Sequence, residues 1–264
     1  MKVQVLLSCM NEVDTSIVGR SNIQSDVVVV NQCGTDSTRE FTFKNNKGEE
    51  CRCKFINTTQ RGLSNSRNLA LKNAWNDICI LCDDDEVFKD DYPEKIIMSY
   101  NGNPGYQLLF FEIGNRANGK TGYRKRIEIN RRKSLAICSV QISFLRKAVI
   151  DSNIVFNPKF GAGVTQAGGE EHIFLYDCFK HGLKGLNVPI EISSLNENSS
   201  STWWRGISRE YLIDEGQVLR QLFGLFGGLA ASTLFIIKKR DMIRTKLDLV
   251  AAYKAILRGV FRKD

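Results

Sequence analysis

The residues best suited to chemistry are four consecutive carboxylates, Asp83-Asp84-Asp85-Glu86, which follow the apolar run Ile78-Cys79-Ile80-Leu81-Cys82. Adjacent acids repel one another, so the cluster adds nothing to a fold unless a cation sits among them. Hard oxygen donors suit Mg2+ or Mn2+, with substrate phosphates completing the shell. A short apolar run bounded by polar residues reads as a strand buried on both faces. Ligands of α/β sheets sit beyond the carboxyl ends of such strands, where this cluster falls. A solvated acidic turn is the competing reading, and placement after a buried strand argues against it.

The elements around the cluster alternate. Val3 to Leu7 and Val27-Val28-Val29-Val30 read as strands, with a short helix from Ile17 to Ile23 between them and a polar, Gly-containing turn from Asn31 to Asp36 after the second. Phe41 to Phe55 reads as extended pieces around the turn Asn45-Asn46-Lys47-Gly48. Gly62 supplies a turn, and Ser64 is placed to cap a helix running to about Asn76, with Leu69, Ala70 and Ala74 on its apolar face. The acid strand comes next, and strand-helix alternation implies a largely parallel sheet. Asp91-Tyr92-Pro93 opens a helix to about Tyr100, Tyr106 to Ile113 and Leu135 to Leu145 read as strands, and Glu171 to His181 as a helix stopped by Gly182.

Five motifs in this order resemble those of the family 2 glycosyltransferases. Met10-Asn11-Glu12 is similar to the family's first-strand ending, and Asn31-Gln32-Cys33-Gly34-Thr35-Asp36 to its Asp-Asp-Gly-Ser-Thr-Asp. Gly62-Leu63-Ser64-Asn65-Ser66-Arg67-Asn68 resembles Gly-x-Ser-x-Ala-Arg-Asn, and Asp83-Asp84-Asp85 the Asp-x-Asp metal motif. Gly169-Glu170-Glu171 resembles the Gly-Glu-Asp that holds the catalytic base. The resemblance covers the first 200 or so residues. It implies an α/β GT-A fold, with a mixed, mostly parallel sheet flanked by helices over 1–205; residues 206–264 read separately, from their apolar and basic pattern, as a C-terminal helical appendage. Asn31 and Gln32 stand where relatives have acids, and Glu171 stands for the expected Asp, leaving the base open between Glu170 and Glu171.

The resemblance implies inverting, metal-dependent transfer of a sugar from a UDP- or GDP-linked donor to a hydroxyl of a glycan or lipid-linked acceptor. Asp85 and Asp83 would hold Mn2+ or Mg2+. Asn11, Gln32, Asp36, Arg67, Asp83 and Asp84 would contact the nucleotide-sugar, with Asp83 facing the ribose and Asp84 expected to turn back into the fold. Arg67 would meet a phosphate or, alternatively, pair with the acid cluster. A carboxylate at a helix N-terminus is held ionised by the helix dipole, which makes Glu171 the preferred base. Helix capping is the alternative use of both glutamates, and His172 reads as an ion-pair partner. Processive polymer synthases carry Gln-x-x-Arg-Trp; Thr202-Trp203-Trp204-Arg205 only superficially resembles it, so transfer is expected to be non-processive. Rival readings of the same acids are a metal-dependent nucleotidyltransferase or nuclease and a non-catalytic sugar-nucleotide binder.

With 264 residues, 42% hydrophobic and 25% charged, the chain is ordinary globular material for one large domain or a domain with an appendage. Its net charge of +8 lies mostly in the tail, because residues 238–264 hold nine Lys/Arg against Asp241, Asp248 and Asp264. The basic run Arg116 to Lys133 has no aromatic stripe or nucleic-acid motif, so a nucleic-acid partner is not expected. The eight cysteines form no zinc framework, and the apolar stretch before Cys9 is too short for an export signal. Thiols in a reducing cytosol are expected. The uncharged run Leu222 to Ile237 has 16 residues, short of the ~20 that span a bilayer. Beyond Lys238-Lys239-Arg240, the residues Ile243, Leu247, Val250, Leu257 and Phe261 share a helical face beside basic residues. Residues 218–264 therefore read as helices lying on an anionic membrane surface, the alternative being helices packed into a core. The expected location is cytoplasmic, peripheral on the inner face of the cell membrane.

Overall fold

We describe the computed structural model over residues 1–114, 123–196 and 206–262. The chain forms two compact units. One comprises Met1–Arg61, Asn65–Phe156 and Phe174–Ser199; the other comprises Gly62–Ser64, Asn157–Ile173 and Ser200–Asp264.

The first unit is built on one sheet. Its first part runs β1 (Val3–Met10), α1 (Ile17–Arg20), β2 (Asp26–Gln32), β3 (Ser37–Lys44), β4 (Glu50–Thr58), α2 (Leu63–Lys72) and β5 (Ile78–Asp83). There follow β6 (Glu86–Phe88), α3 (Tyr92–Asn101), β7 (Leu108–Gly114), β8 (Ile127–Ile129), α4 (Arg131–Ser134), β9 (Ile142–Leu145) and α5 (Arg146–Asp151). Helix α6 (Glu170–Lys180), which belongs to this unit from Phe174 on, leads to β10 (Gly185–Leu195). The strand order is β3-β4-β2-β1-β5-β9-β7-β10-β6, with β8 paired to β10. The segment β4-β2-β1-β5 is parallel, and β9 joins it to β7 through antiparallel pairs.

Strand alternation fills both faces. Val5, Leu7, Val27, Val29, Ile78 and Ile80 pack into one core, and Leu6, Val28, Val30, Cys79 and Leu81 into the other. Four sequence expectations need correction here. Residues 135–141 are not strand; a 3-10 turn at Ser139–Gln141 precedes β9. Helix α2 ends at Lys72, and Ser64 lies inside it, donating to the Phe160 carbonyl at 2.8 Å instead of capping. Asn31 and Gln32 remain on strand β2 and are buried. Finally, Glu86 leaves the acid cluster for β6, where it is fully buried and accepts a 2.5 Å hydrogen bond from Ser193. Burial pushes its carboxyl well above the usual carboxylate range.

The second unit contains α7 (Arg209–Arg244) and α8 (Leu249–Phe261). By length and composition α7 is one helix apolar enough to cross a membrane. Gly224 interrupts it, however, with φ 71° and ψ −172°, a conformation open to glycine. The Tyr211 and Phe235 rings lie 6.5 Å apart, although 24 residues of unbroken helix would separate them by about 36 Å. The two arms of α7 therefore fold back on each other, and Leu212, Leu219, Ile236 and Ile243 share a core with Ala252, Ala255 and Ile256 of α8.

Candidate active site

Register brings the first group of expected residues together. Along the carboxyl edge of the sheet, Ser8 of β1 pairs with Asp83 of β5, and Met10 pairs with Gln32 of β2. Asn11 follows at once with φ 55°, and its N–H donates to the Gln32 carbonyl at 3.2 Å. That same carbonyl accepts from Arg61 Nη1 at 2.7 Å.

Helix α2 explains the Ser66-Arg67-Asn68 run, one residue per task. Ser66 donates to Ser8 Oγ at 2.8 Å, which ties the helix to β1. Asn68 closes a two-way pair with the backbone of Phe156, donating at 2.7 Å and accepting at 2.8 Å. Arg67, 1% exposed, lays its guanidinium over the Phe156 ring and reaches Asp83 Oδ1 at 2.9 Å. Ser139 donates to the other oxygen, Asp83 Oδ2, at 3.2 Å. Asp83 is thus oriented from two sides.

Asp84 sits at the tip of the turn and is exposed, contrary to the expectation that it turns inward. Its carboxyl is pushed up to about 6, first by desolvation and then by the like charges of Asp83 and Asp85. Because the residue is exposed, water screens the first of these, and the like charges are what a cation would relieve. Asp85 is half-buried, and its carbonyl accepts from Asn196 N at 2.9 Å.

These donors fit a metal that arrives with a diphosphate. Among the described residues no group of three or more His, Cys, Asp or Glu is arranged as a metal cage. Mg2+ commonly takes only one or two carboxylates and completes its shell with substrate phosphates and water. Asp83, held by Arg67 and Ser139, and Asp85 on the same turn are the candidate ligands.

Asn31 and Asp36 serve the frame of this edge. Asn31 donates to the Glu12 carbonyl at 2.8 Å and to Asn57 at 2.9 Å, and accepts from Glu12 N at 3.0 Å. An acid there would have no proton for two of those contacts, which accounts for the amide. Asp36 accepts from Thr59 N at 2.7 Å, and these bonds lower its carboxyl below the usual range. The sequence assigned no role to Arg61 or Ser139 and none of their own to Ser66 and Asn68 within the Gly62 to Asn68 motif; each contact depends on a partner distant in the chain.

The second group of expected residues opens α6. Gly169 holds φ 86°, and a Cβ there would stand 2.8 Å from Val218 Cγ1, so the turn into the helix admits only glycine. Glu170 is buried, and a Cβ on Gly161 would meet its Oε2 at 3.2 Å. Glu171 keeps 18% of its side chain exposed, with His172 Nε2 4.0 Å from its Oε1. The two glutamates are therefore unlike, one enclosed and one reachable. Residues 115–122 of the basic run, and Thr202 to Arg205, lie outside the described residues. Of the rest of that run, Arg126 pairs with Asn103, and Lys133 donates to the Glu128 carbonyl at 2.9 Å.

Known proteins resemble this chain in sequence and fold. Over 109 residues the chain is 27% identical to a poly-beta-1,6-N-acetyl-D-glucosamine synthase of Staphylococcus epidermidis, a match covering 39% of the chain and 26% of that synthase. In structure it is similar to S. aureus TarS 1-349 in complex with UDP-GlcNAc, with TM-score 0.67, 13% identity and coverage of 98% and 82% of the two chains. It also resembles the mannosyltransferase PcManGT of Pyrobaculum calidifontis in complex with GDP-Man and Mn2+, with TM-score 0.54, 12% identity and coverage of 100% and 88%. At such identities the structures establish the shared GT-A fold. The model of glycosyl transferase family 2 matches residues 7–165, more than half of the sequence, and the chain belongs to that family of glycosyltransferases.

Proposed function

We propose that the protein moves a sugar from a nucleotide-sugar to a hydroxyl acceptor, by inverting, metal-assisted and non-processive transfer, in the assembly of a cell-surface polysaccharide. The observation that carries this reading is the crowded acid turn at the carboxyl edge of β5, where Arg67 and Ser139 fix Asp83 beside Asp84 and Asp85. Family membership supports the reaction class. Relatives named for N-acetylglucosamine and a neighbour holding UDP-GlcNAc make a UDP-linked N-acetylhexosamine the first donor to try, with GDP-mannose second.

Asp85 and Asp83 would hold Mn2+ or Mg2+, which when bound would neutralise charge gathering on the departing diphosphate. Asn11 and Gln32, at the ends of adjacent strands, would meet the nucleoside, and Arg67 acts by orienting Asp83. The acceptor oxygen attacks the anomeric carbon while that carbon's bond to the diphosphate breaks. The bonding electrons leave with the diphosphate, and the hydroxyl proton passes to the Glu171 carboxylate. Glu171 is preferred to Glu170 because it is reachable from solvent.

Donor turnover with water as acceptor tests this reading without the natural acceptor. Proton NMR should show nucleoside diphosphate together with a sugar of inverted anomeric configuration, only when Mn2+ or Mg2+ is present. Retained configuration would reject the inverting step, and release of nucleoside monophosphate with sugar phosphate would favour phosphoryl chemistry.

A further inference from the structure

The second arm of α7 turns a continuous apolar stripe outward. Phe226, Ala230, Leu234 and Ile237 recur at spacings of four, four and three, so they share one face about 16 Å long. Phe226 is 83% exposed, Leu234 66% and Ile237 59%. The opposite face, with Gly228, Ser232, Ile236 and Ile243, is buried. Helix α8 repeats the spacing with Val250, Lys254, Arg258 and Phe261, all exposed.

Charge selects the partner. From Lys238 to Arg262 there are eight Lys/Arg against Asp241 and Asp248. Lys238, Arg240, Arg244, Lys246, Lys254 and Arg258 are exposed. An open hollow of about 540 Å3 at the α7–α8 turn is lined by Arg244, Lys246 and Asp248 among the residues from Arg244 to Leu249. A two-fold contact with a second copy would set these cations against each other. An anionic bilayer surface accepts the apolar stripe and the cations together.

Spanning is a poorer fit. The break at Gly224 leaves 13 uncharged residues, Leu225 to Ile237, before Lys238. Thirteen residues rise about 20 Å, against the roughly 30 Å of a hydrocarbon core.

We propose that the α7–α8 unit docks the protein on an anionic lipid surface, with Phe226, Leu234 and Ile237 inserted at the headgroup boundary and the surrounding Lys/Arg on lipid phosphates. The docking does not depend on the transferase reading, and Asp85→Ala should bind vesicles like the wild type.

The test is co-sedimentation of the full chain with vesicles of phosphatidylcholine alone or mixed with phosphatidylglycerol. The wild type should partition onto the anionic vesicles at least about tenfold better than onto the neutral ones, less so as salt is raised. F226S/L234S/I237S should lose at least about tenfold in partitioning with an unchanged circular dichroism spectrum, because all three side chains are exposed. R244E/R258E should lose anionic binding selectively. Met98→Ser, at a residue 71% exposed on α3, should change nothing. Equal sedimentation of wild type and triple variant would overturn the proposal. So would a wild type that ignores both vesicles, including one that is dimeric and becomes monomeric on the triple substitution.

Discussion

Arg67 and Asp83 form a buried-to-surface ion pair, with Nη2 2.9 Å from Oδ1 and the guanidinium over the Phe156 ring. One partner is 1% exposed and the other 30%, so the pair carries order from the core to the turn that bears Asp84 and Asp85. Arg67→Lys keeps the charge but loses the planar fork and the ring contact. The expected cost is about 1–3 kcal/mol in urea unfolding, the range for a charge-assisted hydrogen bond. Nucleotide affinity should fall with it.

The next prediction separates the two glutamates of α6. Glu171→Gln should leave nucleotide affinity unchanged and lower kcat by about 100-fold or more, the scale of a lost general base. Glu170 is enclosed, so Glu170→Gln should chiefly lower the melting temperature. A loss of kcat confined to Glu170→Gln would reverse the assignment.

Close packing in the α7–α8 unit depends on two glycines. A Cβ on Gly216 would lie 2.1 Å from the Ile256 carbonyl oxygen, and one on Gly259 would lie 1.9 Å from that of Ile213. Backbone on both sides cannot yield as a side chain would. Gly216→Ala or Gly259→Ala should each destabilise by about 1–3 kcal/mol or more. Gly19→Ala, with nothing within 4 Å, should be neutral or slightly stabilising. Thermal melts followed by circular dichroism distinguish the three.

Glu215 gives the unit a pH dependence. Its carboxyl is raised from 4.5 to about 7 by desolvation, opposed by Tyr211 and Lys239. The folded state holds this proton more tightly than the unfolded chain, so the contribution is full below about pH 4.5 and is lost as pH rises through about 7. Glu215→Gln should therefore match the wild type near pH 4 and exceed it above pH 7, by no more than about 3 kcal/mol. A constant difference across that range would contradict the assignment.

Much of this was legible in the residues themselves. The runs Val27-Val28-Val29-Val30 and Ile78 to Cys82 announce buried strands, and both lie centrally, in β2 and β5. The acid turn falls where a buried strand must end. Strand β10 escaped reading because Pro189 interrupts it; the pairing register shifts between Asn187 and Glu191, a bulge that admits the proline. Glu86 was misread because the turn at Asp84-Asp85 separates it from β5 and places it on β6, where Ser193, more than a hundred residues away, donates to it. The break in α7 left only a glycine inside an apolar run, which fits a straight helix equally well until Tyr211 is found beside Phe235. Roles of Ser66 and Ser139 were hidden for the same reason: each depends on a partner that only the folded chain brings near.

The turn of Asp83 to Asp85 is proposed to bind a nucleoside diphosphate through a divalent cation. Calorimetric titration of UDP and GDP, with and without Mn2+, on the wild type and on Asp85→Ala measures this directly. One nucleotide should bind in a metal-dependent way, with affinity weakened about 100-fold in the variant, as for a disturbed metal site. Equal affinity with and without Mn2+, or wild-type affinity in Asp85→Ala, would contradict it.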